Sequence, residues 1–478
     1  MMIPFVGGAY TARSPNLNAQ RSVCWFPVID QEDAKSIIAM YGTPGCKRFA
    51  LVEAESTDTI IRAVWPFGAV VYVVIGDRVY SVASDGTPTL LGTITTASGN
   101  VFMADNGTEV LIVDGTFNGY YISGGVLTAI PDADFPTATS CTFQDGYFIV
   151  TVASTGQIWI SGLYDVTTWD PLDFSTAEGS PDNALNVSSN AHDLWIFGAL
   201  SAEVFYNSGN ADFPFERIQG AFLEVGTGAA ASVCKIEGVF YWLTEKRQVV
   251  RNVGYQFEAI STEHIEYAIS QYTTISDARS WSYTLEGHIF YVLTFPTEDK
   301  TWVYDVKTRF WHEWQSYSNA QESVPYARHR GNCACWYNGK TIVGDYENGR
   351  LYELDMATYT DNLEYIRRVR AAQTINRERY NVVHDELEIE FEMGVGLSTG
   401  QGSDPQAMLD WSDDGGHTWS SEAWESLGLT VGGIGEYSKR ARWQRLGISR
   451  NRVYRVTVTD PVKCVIIAAY LRVRDGYL

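Results

Sequence analysis

The sequence is short of positive charge. Its 35 Lys and Arg stand against 57 Asp and Glu, a formal net charge of −22. Duplex binding draws most of its affinity from cations neutralising phosphates, so this balance excludes a DNA-gripping surface and suits a wall past which DNA slides. No apolar run approaches the roughly 18 to 20 residues that a membrane-spanning helix needs. The opening Met1-Met2-Ile3-Pro4-Phe5-Val6-Gly7-Gly8 lacks the basic and apolar regions of a signal peptide. The seven Cys, at 24, 46, 141, 234, 333, 335 and 464, are odd in number and scattered. Cys333-x-Cys335 has no second pair at zinc-ligand spacing, so reduced, mostly buried thiols are expected rather than a metal site or disulfide framework. The seven His show no metal-binding spacing, and neither a phosphate-cradling Gly-rich loop nor a dinucleotide fingerprint is present. No metal or cofactor is expected.

Glycine and aromatics are plentiful: 42 Gly, 28 Tyr, 21 Phe and 15 Trp lean towards a turn-rich all-β protein. From residue 58 to 358 a polar turn alternates with a short β-rich run. Central strands are predicted at Val70–Val74, Val110–Val113, Tyr147–Val150, Leu194–Phe197, Val239–Leu243, Ile289–Leu293 and Thr341–Val343. Their starting positions are about 37 to 52 residues apart, which fits four-stranded propeller blades. A seven-bladed β-propeller is expected, with six blades as the alternative. Thr262 followed by Glu263 and apolar residues at helical spacing predicts one short helix over 262–269.

Residues 1–57 lack periodicity and read as an extended N-terminal arm; 359–478 read as a C-terminal β-sandwich-like domain. Within the latter, Leu387-Glu388-Ile389-Glu390-Phe391-Glu392 alternates as a half-buried strand does. Ser412-x-Asp414-x-Gly416-x-Thr418-Trp419 looks like an Asp-box, a hairpin turn in which Ser and Asp bond the loop backbone and Trp pins it to the core. Arg367, Arg368 and Arg370, with Arg440, Arg442, Arg445, Arg450 and Arg452, form a candidate interface patch, more suited to a protein partner than to DNA; Arg377-Glu378-Arg379 is a further basic cluster. The alternative is a set of arginines paired with neighbouring carboxylates.

Several landmarks occur in order: Asn18-x-x-Arg21, Trp25-Phe26-Pro27, Tyr41-Gly42-Thr43-Pro44-Gly45, Ala177-Glu178-Gly179-Ser180-Pro181-Asp182, Pro214-Phe215-Glu216-Arg217, Gly287-His288-Ile289-Phe290-Tyr291, Thr301-Trp302-Val303-Tyr304-Asp305 and Trp443-x-Arg445-Leu446-Gly447. Together they resemble the packaged-DNA stabilization family of short-tailed bacteriophages, the tail accessory or tail-hub proteins. Trp25-Phe26-Pro27-Val28 stands where a Tyr-Pro-Glu segment is more usual, and Cys46 follows the Thr-Pro-Gly turn. The resemblance implies a non-enzymatic virion tail protein, assembled in the host cytoplasm as a homo-oligomeric ring, a hexamer. That ring would extend the portal channel below the head-completion adaptor, retain packaged DNA, which passes through its lumen without sequence-specific binding, and dock tailspike, fibre or needle proteins, without membrane insertion. The competing reading is a propeller glycoside hydrolase or carbohydrate-binding protein acting on host glycans. Sialidase chemistry needs three Arg, a Tyr–Glu pair and an acid Asp converging near the propeller axis, and nothing in the pattern brings such residues together.

Overall fold

The computed structural model describes residues 2–29, 37–54, 60–177, 179–210, 213–317, 326–377, 380–431 and 434–476. Glu178, Glu378 and Arg379, named above, lie outside them. Among the described residues seven antiparallel sheets of the propeller follow one another along the chain. The first comprises Ile61–Phe67, Val70–Ile75, Arg78–Ala83 and Pro88–Thr93, and the pattern repeats to the seventh, Gly331–Tyr337, Lys340–Asp345 and Arg350–Asp355. Each predicted central run falls on the second strand of one sheet. These runs are continuously apolar because both faces are covered. In Val70–Ile75, for example, Val71, Val73 and Ile75 pack towards the seventh sheet, whereas Tyr72 and Val74 pack towards the second. Further apolar clusters join each remaining pair of neighbouring sheets.

Tight turns set the pitch of the meander. Asp145-Gly146, Glu237-Gly238, Glu286-Gly287 and Asn338-Gly339 each place two successive residues at positive φ. That is the two-residue geometry whose twist matches flanking antiparallel strands. The predicted helix is present as Glu263–Ser270, with Ile265 and Ile269 buried between the fifth and sixth sheets. Thr262 makes no side-chain capping bond; instead the Ser261 hydroxyl donates to Glu266 at 2.9 Å. No helix of the described residues is long and apolar enough to cross a membrane.

The stretch 1–57, expected as an extended arm, is built into both halves of the molecule. Gly45–Leu51 pairs antiparallel with Arg350–Asp355, from Gly45 opposite Asp355 to Leu51 opposite Arg350, and is the fourth strand of the seventh sheet. The inner strands of that sheet and the first then meet: Asn332 Nδ2 donates to the Ile61 carbonyl at 2.8 Å, and Tyr337 donates to the Ala69 carbonyl at 2.6 Å. Arg21–Val23 lies between Trp311–Glu313 of the sixth sheet and Arg368–Ala371, so one ten-stranded sheet runs from the propeller into the C-terminal half.

The second sandwich layer contains Trp25–Ile29, Ile38–Gly42, Val465–Asp475, Val382–Phe391 and Ala441–Gln444. Pro27 is tolerated there because Trp25–Ile29 is the edge strand, where a missing amide donor leaves no ladder bond broken. Leu387, Ile389 and Phe391 point inward, as their alternation predicts, and share the sandwich core with Ile3, Phe5, Trp25 and Met40.

The closing strand starts at a crowded point. A Cβ on Gly45 would lie 2.3 Å from the Thr358 carbonyl oxygen and 2.6 Å from that of Thr360, both fixed backbone. Gly45→Ala is expected to destabilise the whole molecule by about 1–3 kcal/mol, the usual cost of overpacking, seen as a lower urea midpoint with an unchanged slope.

Candidate functional site

The polar chemistry of the molecule concentrates where the amino-terminal segment is held. On the closing strand, Cys46 meets His329 and Asp361, all three buried, with potential ligand atoms within 4.8 Å of one another. The backbone amide of Gly331 donates to His329 Nδ1 at 3.1 Å, so the neutral ring carries its proton on Nε2, which faces the Cys46 sulfur at 3.6 Å. Burial keeps this imidazole neutral and pushes both the Cys46 thiol and the Asp361 carboxyl up. Asp361 accepts from Ser316 Oγ at 2.9 Å and from the Cys46 amide at 3.3 Å. A metal ligand at Nε2 would need the opposite tautomer, so the cluster fits a hydrogen-bonded latch better than an ion site. Sequence reading missed it because its members lie 283 and 315 residues apart.

All seven cysteines are free. Burial pushes the thiols of Cys24, Cys333, Cys335 and Cys464 up to about 12 and that of Cys234 up to about 11, which leaves them unreactive.

The hairpin from Ser412 to Trp419 is a second clip on the same segment. Ser412 Oγ donates to Asp414 at 2.7 Å and accepts the Gly416 amide at 2.7 Å. Asp414 also accepts the amides of His417 and Thr418, each at 2.9 Å, and the Thr418 hydroxyl at 2.6 Å. The hydroxyl of Ser412, then that of Thr418, then the backbone amides hold its carboxyl far below the usual range. Gly416 has φ +99°, which a side chain would strain. Half-buried Trp419 packs on Ala19, Ala371 and Val453 beneath the Arg455 guanidinium, 3.7 Å from the ring centroid. Asn16 fills the space beside Gly415, so the hairpin sits directly against the loop before Arg21.

The eight arginines do not make one patch. Arg368 and Arg370 are each 1% exposed, so the interface expected of them is corrected: no partner can reach them in this fold. Arg370 Nε donates to the Phe5 carbonyl at 2.8 Å and Nη2 to that of Gly8 at 3.1 Å, and burial pulls its pKa down to about 10. Arg367 stacks 4.4 Å from the Tyr326 ring centroid, and Arg452 is buried in a two-pronged pair with Asp413 at 2.6 and 2.7 Å. Arg440 and Arg442 flank Glu388 at 3.2 and 2.9 Å on the exposed face of the Val382–Phe391 sheet. Arg445, at φ +59°, turns the chain beyond them, and Arg450 is exposed. The same face carries Arg472, 3.6 Å from Glu386, and Arg474, 2.7 Å from Asp385. Sequence reading overlooked this pair, although Leu471-Arg472-Val473-Arg474 alternates as an edge of a half-buried strand should.

A cavity of 720 Å³ opens between the inner strands of the fifth, sixth and seventh sheets, lined by Lys235, Ser282, Thr284, Cys335 and Trp336 among others. Its described lining contains no Asp or Glu, so the paired carboxylates of glycoside hydrolysis do not converge there.

His312, 1% exposed with both ring nitrogens unpartnered, is pulled down to about 4 by burial. Its folded pKa lies below the unfolded value near 6.5, so the unfolded chain binds the extra proton and stability is lost as pH falls from 6.5 to 4. The share from His312 reaches about 3 kcal/mol, at about 1.4 kcal/mol per pKa unit. Against the same titration in the parent, His312→Phe is expected to keep neutral-pH stability, because Phe26 and Phe290 already surround the ring, and to flatten the acid loss in urea unfolding.

Comparison with known proteins gives the context for this arrangement. No curated protein matches the chain. Among solved structures, the WD40 beta propeller domain of Doa1 aligns with TM-score 0.41 and 13% identity over 65% of this chain and 96% of that one. The computationally designed Ika8 protein gives 0.40 and 10% over 65% and 99%. The family described as Bacteriophage P22 Gp10, beta-propeller, matches residues 1–359, and its beta-sandwich counterpart matches residues 367–474. With both domains in order along nearly the whole sequence, the chain belongs to the phage P22 Gp10 family, structural proteins of the short-tailed phage tail.

Proposed function

We propose that this protein is a hub ring of the tail, a hexamer stacked below the head-completion adaptor of the portal, which closes the channel on packaged DNA and presents outer surfaces to a tailspike, fibre or needle protein. The observation that carries the reading is the sheet that continues from the sixth propeller sheet through Arg21–Val23 into the sandwich. Two domains joined by a continuous ladder and a shared core move as one block, which is what a subunit resisting DNA pressure requires. The charge supports it as well. An acidic chain with net −22 repels the phosphate backbone, so a lumen lined by that surface would let DNA leave without sticking. On the sandwich, Arg440 and Arg442 alternate with Glu388 across an exposed sheet face, a mixed-sign pattern that suits register-specific protein contact better than DNA.

The deciding experiment uses phage particles assembled without this protein. Nuclease-protected DNA in the heads is expected to fall well below that of complete particles although packaging proceeds, and purified protein added during assembly is expected to restore it. Heads that keep their DNA, with only adsorption or glycan processing impaired, would contradict the reading.

A further inference from the structure

Lys235, Thr284 and Trp336 occupy one register position in three successive inner strands of the propeller. Ile236 pairs with Val239, Leu285 with His288 and Tyr337 with Lys340 across the first turn of the fifth, sixth and seventh sheets. Each of the three residues stands one place before that closing pair, so they meet at one level of the channel, where all of them line the 720 Å³ cavity. All three are exposed, Trp336 to 60%, so a ligand reaches their side chains from solvent.

Their polar groups are available. The Thr284 hydroxyl and the Trp336 indole N–H have no hydrogen-bond partner among the described residues. Lys235 Nζ spends one of its three donors on the Ser189 carbonyl at 2.9 Å. Cys234–Ile236, Arg279–Leu285 and Gly331–Tyr337 each have a ladder partner on one side only, so their open edges add amide donors and carbonyl acceptors. An indole ring left open to water beside these groups is a flat apolar platform with a polar tip.

The charges select against an ionic ligand. The described lining contains one cation, Lys235, and no Asp or Glu, while Glu237 and Glu286 stand exposed in the adjoining turns. An anion entering the cavity would pass those carboxylates, and a cation would meet Lys235. A neutral ligand with groups that both donate and accept matches the site on every side.

We propose that this sector of the channel binds a neutral saccharide of one or two rings, with the apolar C–H face of a pyranose stacked on Trp336. Its hydroxyls bond Thr284, Lys235 and the open strand edges. A sugar ring offers both features together, an apolar face and a rim of hydroxyls that donate and accept, and the volume falls within the range of about 300–1,000 Å³ common for small-molecule sites. The site binds without cleaving, since the described lining holds no pair of carboxylates. This binding belongs to the single subunit and stands or falls independently of the hub role.

The test presents the full-length protein to an array of neutral mono- and disaccharides built from hexoses, deoxyhexoses and N-acetylhexosamines, beside sialylated and uronic-acid glycans and a set of extended peptides. Calorimetric titration then measures each neutral sugar retained. Saturable binding of at least one neutral sugar is expected. Trp336→Ala is expected to weaken it about 10-fold or more by removing the platform, and Thr284→Val about 5-fold, the worth of one neutral hydrogen bond. Trp424→Ala, an equally exposed tryptophan on the edge strand of the sandwich, is expected to leave the constant unchanged. All three side chains are on the surface, so each variant is expected to keep the parent's urea midpoint. Failure to bind any neutral sugar overturns the proposal, as does retention of acidic glycans or peptides alone. A constant unchanged in either cavity variant, or a loss in Trp424→Ala as large as that in Trp336→Ala, overturns it too.

Discussion

The pairing of Gly45–Leu51 with Arg350–Asp355 is the contact on which the rest of the structure depends. Every propeller sheet buries both faces against neighbours, so none has a complete core until the ring is closed. Without this strand the seventh sheet would end in an unpaired edge and Ala50 would leave the cluster joining it to the first sheet. The partners lie some three hundred positions apart, a separation whose loop-closure entropy only a nearly finished ring can offset. From the same segment Trp25 and Met40 enter the sandwich core, so closing the propeller and assembling the sandwich are one event.

Buried polar groups gather along this seam for a physical reason. A long segment threaded between two cores must carry its backbone donors and acceptors into dry surroundings, and each must be met. Arg370 meets the carbonyls of Phe5 and Gly8; the Ser316 and Cys46 groups meet Asp361; and the Ser412 hairpin holds its own loop rigid so that Trp419 and Gly415 can receive Ala19 and Asn16. Such networks contribute less to net stability than to selecting one register out of several. For the load-bearing subunit proposed above, a single register is the property that matters.

What could be read from the sequence was local. Unbroken apolar runs such as Val239–Leu243 announce strands covered on both faces, and Asn338-Gly339 or Asp145-Gly146 announce the turns between them. The hairpin at Ser412 is likewise written within eight residues. What escaped was non-local. Gly45–Leu51 reads as part of an extended arm because its partner is distant, and Arg368 and Arg370 look like surface because arginine usually is. Neither period nor composition reveals that Arg368–Ala371 is covered on both faces, since that covering comes from the opposite end of the chain. The trio Cys46, His329 and Asp361 was hidden in the same way.

The central claim, that one amino-terminal segment locks ring and sandwich into a single body, is tested most directly by native-state hydrogen exchange resolved to individual amides. The account predicts that amides of Gly45–Leu51 and Arg368–Ala371 exchange only through the same global opening as those of Val239–Leu243 deep in the propeller. Exchange of the closing strand at a much lower opening free energy, with the remaining sheets still protected, would show that the segment peels away alone and would contradict it.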